Sequence, residues 1–149
     1  MTTRALLASG MLLLVSLSGC ADQTDKYCGM LNDDKATLTD LRKTVSEPGN
    51  DFFGESLGLF EALRDEAPDD VVDEWDTFVF AWQGLADAID EAGVDPAEYQ
   101  PGKMPPGLAP AQAKAIEGAA LELASPRVAD AGEGIEQHAR DVCKVDLGL

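Results

Sequence analysis

The chain has 149 residues, of which 28 are acidic and 11 basic, for a formal charge of -17. That length favours one domain, and 45% apolar with 26% charged side chains is the composition of a folded protein rather than a disordered one. Such acidity excludes nucleic acid as a partner, because phosphate binding needs clustered Lys and Arg, and it excludes purely electrostatic docking on an anionic membrane.

Met1–Arg4 is short with one positive charge, and Ala5–Leu17 is apolar apart from Ser9, Gly10 and Ser16. A run of about 13 residues is too short for a membrane span of about 20 but suits the apolar part of a signal peptide. It ends in Leu17-Ser18-Gly19-Cys20, which resembles a bacterial lipobox. The resemblance implies a diacylglyceryl group on the Cys20 thiol and cleavage just before it. An ordinary secretory signal with a chance cysteine and an uncleaved anchor are the alternatives. Residues 1–19 are thus expected to be a lipoprotein signal peptide, 20–27 a lipidated terminus with a short tether, and 28–149 one helical domain. Cleavage removes Arg4 and no acid, leaving 10 basic and 28 acidic side chains and a charge of -18. Two acyl chains must therefore hold the protein on a surface that its own charge opposes. The partner implied is the membrane, reached through the lipid on Cys20 at the outer face of the cytoplasmic membrane.

Apart from Cys20, the cysteines are Cys28 and Cys143. In an exported protein an even pair reads as a disulfide, here joining the two ends of the mature chain. Two separate buried thiols or a metal pair are the alternatives, and two Cys without nearby His make a poor zinc site.

Helical periodicity runs through the rest. Tyr27, Leu31, Leu38, Leu41 and Val45 predict a first helix over about Asp22–Val45, with Asp34 interrupting one slot and Glu47-Pro48-Gly49-Asn50 as the stop. Phe53, Leu57, Phe60, Leu63 and Ala67 predict a second over Asp51–Ala67, in which Gly54 and Gly58 would allow a close helix crossing. A third opens at Pro68, with Asp69 and Asp70 at the positive end of its dipole, and carries Val72, Trp75, Phe78, Val79, Trp82, Leu85, Ala86 and Ile89 before Gly93 ends it. Residues 94–109 hold four of the eight prolines, read as a crossover linker with one turn of helix at Pro96–Tyr99. A fourth helix, Pro110–Ala124, turns in Ile116, Ala119, Ala120 and Leu123. Ser125-Pro126 then reads as N-cap and first turn of a fifth, Pro126–Val145, burying Val128, Ala131, Ile135, Ala139 and Val142 around locally weak Gly132 and Gly134. The expected fold is all-α, a compact bundle of four to five helices.

Chemistry is sparse. His138 is the only histidine and so the only base for a Ser-His-Asp or Cys-His machine, but its place on the last helix reads as packing. Metal and cofactor signatures are missing: the chain has no HExxH, no CxxC and no calcium loop. Asp33-Asp34, Asp69-Asp70 and Asp73-Glu74 read as solvated faces, with weak cation binding as the alternative. Phe80 breaks the pattern of its helix, lying on a polar face with Asp76, Thr77 and Gly84. It is expected either to be shielded by the linker crossing over Gly84, the favoured reading, or to form a docking surface with Met104.

Lys26-Tyr27-Cys28, Glu66-Ala67-Pro68-Asp69-Asp70, Trp75 with Gly84, Gly93-Val94-Asp95-Pro96, and Gly134-Ile135-Glu136-Gln137-His138 through Cys143 together resemble a family of small, acidic, uncharacterised actinobacterial lipoproteins and secreted helical proteins. That resemblance implies export, a helical fold and the Cys pair, and no activity. The expected function is a membrane-anchored structural or protein-interaction module of the cell envelope, not an enzyme, with an envelope protein as partner. The alternative is a carrier of a cation or small ligand, using the acidic surface or a pocket under residues 94–109.

Overall fold

The structure is a computed structural model that describes residues 19–44, 52–100 and 102–147. All but the last residue of the expected signal peptide lies outside these spans, as does the Pro48-Gly49-Asn50 stop. Within them the fold is all-α: α1 (Gly19–Thr44), α2 (Phe52–Asp65), α3 (Val72–Glu91), a 3-10 turn at Pro96–Glu98, α4 (Pro110–Leu123) and α5 (Pro126–Asp141). α3 is the hub, packing on α2, α4, α5 and the 3-10 turn, while α1 packs along α2.

Two apolar clusters form the core. The larger joins Tyr27, Leu31 and Leu38 of α1 to Phe60 and Leu63 of α2, Trp75 and Val79 of α3, and Ile135 and Ala139 of α5. The smaller joins Phe53 of α2, Leu85 and Ile89 of α3, Tyr99 of the linker and Ile116 of α4, and Trp82 packs against both clusters. The helical periods read from sequence therefore find their partners, because each stripe meets a stripe on a neighbour.

Several boundaries differ from expectation for local reasons. α1 begins at Gly19, three residues ahead of the expected Asp22, so residues 20–27 are helical, with Gln23 Nε2 donating to the Ala67 carbonyl at 2.9 Å and Tyr27 fully buried. α3 begins at Val72 rather than Pro68 and has 20 residues. The Pro68 carbonyl accepts from the N–H groups of Val71 and Val72, and Val71 takes a non-helical backbone (φ -142°, ψ -1°) that drives its side chain into the core. At the other end Gly93 adopts φ +67°, its N–H donates to Asp90 and that of Val94 to Ile89, the paired bonds of a glycine-terminated helix.

α5 stops at Asp141, so Val142 is 43% exposed where the periodic reading buried it, and the tail residues Val145 and Leu147 fill the core instead. Ser125 caps α5 as expected, its Oγ accepting from Val128 N–H at 3.4 Å. Gly58 does not mark a close crossing, since a Cβ there would meet nothing within 4 Å. The close approach is between α5 and α3, where a Cβ on Gly132 would touch the Phe78 ring at 3.7 Å and one on Gly134 would lie 2.9 Å from Glu74 Cγ.

Candidate functional site

One end of the bundle gathers chemistry from four segments. Cys28 on α1 and Cys143 just after α5 place their Sγ atoms 1.97 Å apart, a disulfide distance, with Cα atoms 5.0 Å apart across 115 residues of sequence. Beside them Tyr27 accepts a hydrogen bond at 2.8 Å from the indole N–H of Trp75, both side chains being buried. An indole N–H can only donate, so this phenolic oxygen is what makes burial of Trp75 affordable in free energy. Burial pushes the Tyr27 phenol up to about 12, the Trp75 bond opposes that shift, and the Asp70 carboxylate adds to it.

His138 packs its ring edge-on against Tyr27, with centroids 5.6 Å apart, and its side chain is only 8% exposed. Its Nε2 lies 3.3 Å from Asp70 Oδ1, within ion-pair range when the imidazole is protonated, yet neither ring nitrogen makes a hydrogen bond. Lys26 pairs with Glu66 at 2.6 Å on the same end. Gln23, Thr24, Pro68, Asp69 and Asp70 line a shallow cleft of about 240 Å³ there. The residue groups Lys26-Tyr27-Cys28, Glu66–Asp70, Trp75 and His138–Cys143, scattered in sequence, thus meet in one place. Periodicity could not have joined them, since the Trp75–Tyr27 bond crosses 48 positions and belongs to polar atoms on two core residues.

The linker builds a second feature. Tyr99 is 8% exposed and sets its ring edge-on to Phe53 at 5.3 Å, pinning residues 94–109 against α2, α3 and α4. Burial raises the Tyr99 phenol above its ordinary value. Gln112 fastens the far end, accepting from Ala109 N–H at 2.9 Å and donating to the Ala92 carbonyl at 3.2 Å. Between linker and α4 a groove of about 310 Å³ is lined by Tyr99, Met104, Ile116, Glu117, Ala120 and Leu121, among others. Met104 is 45% and Leu121 67% exposed at its rim.

Phe80 lies elsewhere. It is 66% exposed and does not line the groove that holds Met104, so the two residues do not share a pocket. The linker does not shield it: Gly84 is exposed, with nothing within 4 Å of the position a Cβ would take. The favoured reading is thus corrected, and the reason is Tyr99, which draws the linker to the opposite cluster.

Cys20 falls in the first turn of α1. Among the described residues no group of three or more His, Cys, Asp or Glu is placed to hold a metal ion, and no helix is long and apolar enough to cross a membrane. Compared with family models, with curated proteins and with solved structures, the chain has no match in any of the three.

Proposed function

We propose that the chain is an exported lipoprotein, anchored through Cys20 to the outer face of the cytoplasmic membrane, whose helical bundle serves as a structural or protein-interaction module of the envelope rather than an enzyme. The observation that carries this reading is the apolar leader ending in Leu17-Ser18-Gly19-Cys20. Three features support it. The remaining cysteines stand as one pair at bonding distance, as an oxidising compartment favours. Helix α1 already includes Cys20, so Cys20 and Cys28 are separated by about 12 Å of helix. A lipid on Cys20 would hold the bundle directly at the bilayer instead of on a flexible stalk. The family to which the motifs point is itself one of exported helical proteins.

The test is metabolic labelling with palmitate in the native host. The reading predicts label on the wild-type chain in the membrane fraction, and loss of both label and membrane retention in Cys20→Ala. An unlabelled wild-type chain overturns it.

The groove under the linker favours a second reading, a carrier for a small ligand. Calorimetry with calcium and magnesium, and titration with an apolar fluorescent dye, test it. The absence of both heat and a fluorescence change removes it, and dye binding that is lost in Leu121→Asp supports the groove as the ligand's place.

A further inference from the structure

The end of the bundle that holds the disulfide also holds an ionisable side chain that the proposed function does not use. His138 sits on α5 with its side chain 8% exposed, and neither ring nitrogen has a hydrogen-bond partner. A neutral imidazole needs an acceptor for its N–H and a donor for its other nitrogen. Its surroundings supply neither in hydrogen-bonding geometry, so the neutral ring leaves both unmet at a cost in free energy. What they do supply is charge: Asp70 Oδ1 lies 3.3 Å from Nε2.

The elements packed around the ring decide what that charge can do. α1 brings the Tyr27 phenol, edge-on at 5.6 Å, with its own titration pushed up to about 12, so it is uncharged at neutral pH. The turn between α2 and α3 brings Asp70, with Asp69 beside it and Glu66 already paired to Lys26. α3 brings Glu74, whose side chain lies against Gly134, one turn back on α5. α5 itself carries Asp141 one turn further on, and Arg140, which is paired with Glu136. In the tail the Lys144 amino group donates to the Asp141 carbonyl. The three cations named are thus engaged elsewhere, and Asp70 is the carboxylate within reach of Nε2. Burial works against a charged ring, and this carboxylate works for it.

We propose that His138 and Asp70 form a proton-operated clasp. When the imidazole takes a proton from solvent, Nε2–H donates to Asp70 and fastens the α2–α3 turn to the last helix; when the proton leaves, the turn is released. The turn is suited to such control. Few bonds hold it, chiefly those from the Val71 and Val72 N–H groups to the Pro68 carbonyl at 3.0 and 3.1 Å. The Asp70 side chain is 69% exposed, so letting go strands no buried carboxylate. Asp70 also lines the cleft formed with Gln23, Thr24, Pro68 and Asp69, so the clasp holds one wall of that cleft. An imidazole changes charge between about pH 5 and 8, where ordinary carboxylates stay ionised. Acid therefore tightens the turn and a rise in pH loosens it. The clasp goes beyond the interaction-module reading and does not depend on a lipid at Cys20.

His138 is the chain's one histidine, so its ring nitrogens give isolated signals in an NMR titration of the isotope-labelled full chain, held in a neutral detergent at physiological salt. In Asp70→Asn the ring's affinity for a proton is expected to fall at least about threefold, the size of a partly exposed ion pair. Asp130 is an exposed acid about 12 Å back along α5, beyond the screening length, and Asp130→Asn should change that affinity less than about 1.5-fold. The readout of the turn itself is amide exchange at Val71 and Val72. Corrected for the intrinsic pH dependence of exchange, their protection in wild type should be at least about threefold higher at pH about 5.5 than at about 8, and equal at both in Asp70→Asn. The clasp is overturned if Asp70→Asn binds the proton as tightly as wild type, if Asp130→Asn weakens it as much, or if wild-type protection at Val71 and Val72 does not vary with pH.

Discussion

Replacing Tyr27 by Phe removes one oxygen and tests how the stapled end of the bundle is held. The ring keeps its shape among Leu31, Leu63 and Trp75, so no cavity larger than the hydroxyl is created. What is lost is the acceptor for the Trp75 indole N–H, 2.8 Å away and out of reach of water. An orphaned buried donor costs about 1–3 kcal/mol, and that is the expected loss of unfolding free energy at neutral pH.

A second consequence separates this from a mere packing change. The Tyr27 phenol titrates at about 12 in the fold and at its ordinary value of 10.0 in the unfolded chain. A group whose pKa is raised on folding contributes its full stability below the unfolded value and loses it as pH climbs through the folded one. Wild type should therefore lose stability between about pH 10 and pH 12, by about 3 kcal/mol as an upper figure. Tyr27→Phe cannot lose that part. Tyr99 remains in both proteins, so its own alkaline contribution cancels in the difference. Urea unfolding followed by tryptophan fluorescence, at pH about 7 and at steps from about 9 to 11.5, measures both effects. The two stability curves should converge as pH rises. Curves that stay parallel, or a neutral-pH loss below about 0.5 kcal/mol, would refute the role assigned to the Tyr27–Trp75 bond.

Other outcomes follow from the packing. Cys28→Ala with Cys143→Ala opens a loop closed across 115 residues, and thermal unfolding should show a loss of about 2–5 kcal/mol, with the entropic value near 4–5. Gly58→Ala adds a methyl group to an exposed helix interior with open space around it and should stabilise by about 0.5–1 kcal/mol in a denaturant melt. Gly134→Ala should gain less or destabilise, because its Cβ lies 2.9 Å from Glu74 Cγ and that side chain must move aside. Ile116→Ala empties the fully buried centre of the smaller cluster and should cost about 2–5 kcal/mol in the same melt. Because Ile116 also lines the groove under the linker, it should loosen Tyr99, seen as faster amide exchange over residues 94–109.

The helices were legible in the sequence because burying a stripe every three to four residues is the only way such segments can share a core. Trp75, Val79, Leu85 and Ile89 all lie inside, where their spacing put them. Boundaries were less legible, because a single side chain can override a local rule. Proline at a first helical position is a sound signal, yet Val71 gains more by plugging the core than by continuing a helix from Pro68. The tail shows the same competition: Val142 carries the right spacing, but the chain leaves the helix at Asp141, and Val145 and Leu147 reach the core from irregular backbone that has no period to read.

The Cys28–Cys143 pair could be read by counting, and Phe80 by its departure from the stripe of its own helix. The cover expected for Phe80 could not be read, since it depends on where Tyr99 anchors the linker, a contact with Phe53 across 46 positions. The polar cluster of Tyr27, Trp75, Asp70 and His138 was out of reach for a related reason. Each member looked like a core or surface residue by itself, and only the packing of α1, α3 and α5 brings them together.

The account stands most directly on the covalent state of the three cysteines. Intact-mass analysis of the chain drawn from native membranes, before and after alkylation without reductant, reads all three at once. The account predicts a polypeptide starting at Cys20, heavier than its sequence by a diacylglyceryl group, with no thiol open to alkylation. A species that retains Met1 and takes up alkylating reagent at Cys28 and Cys143 would contradict it.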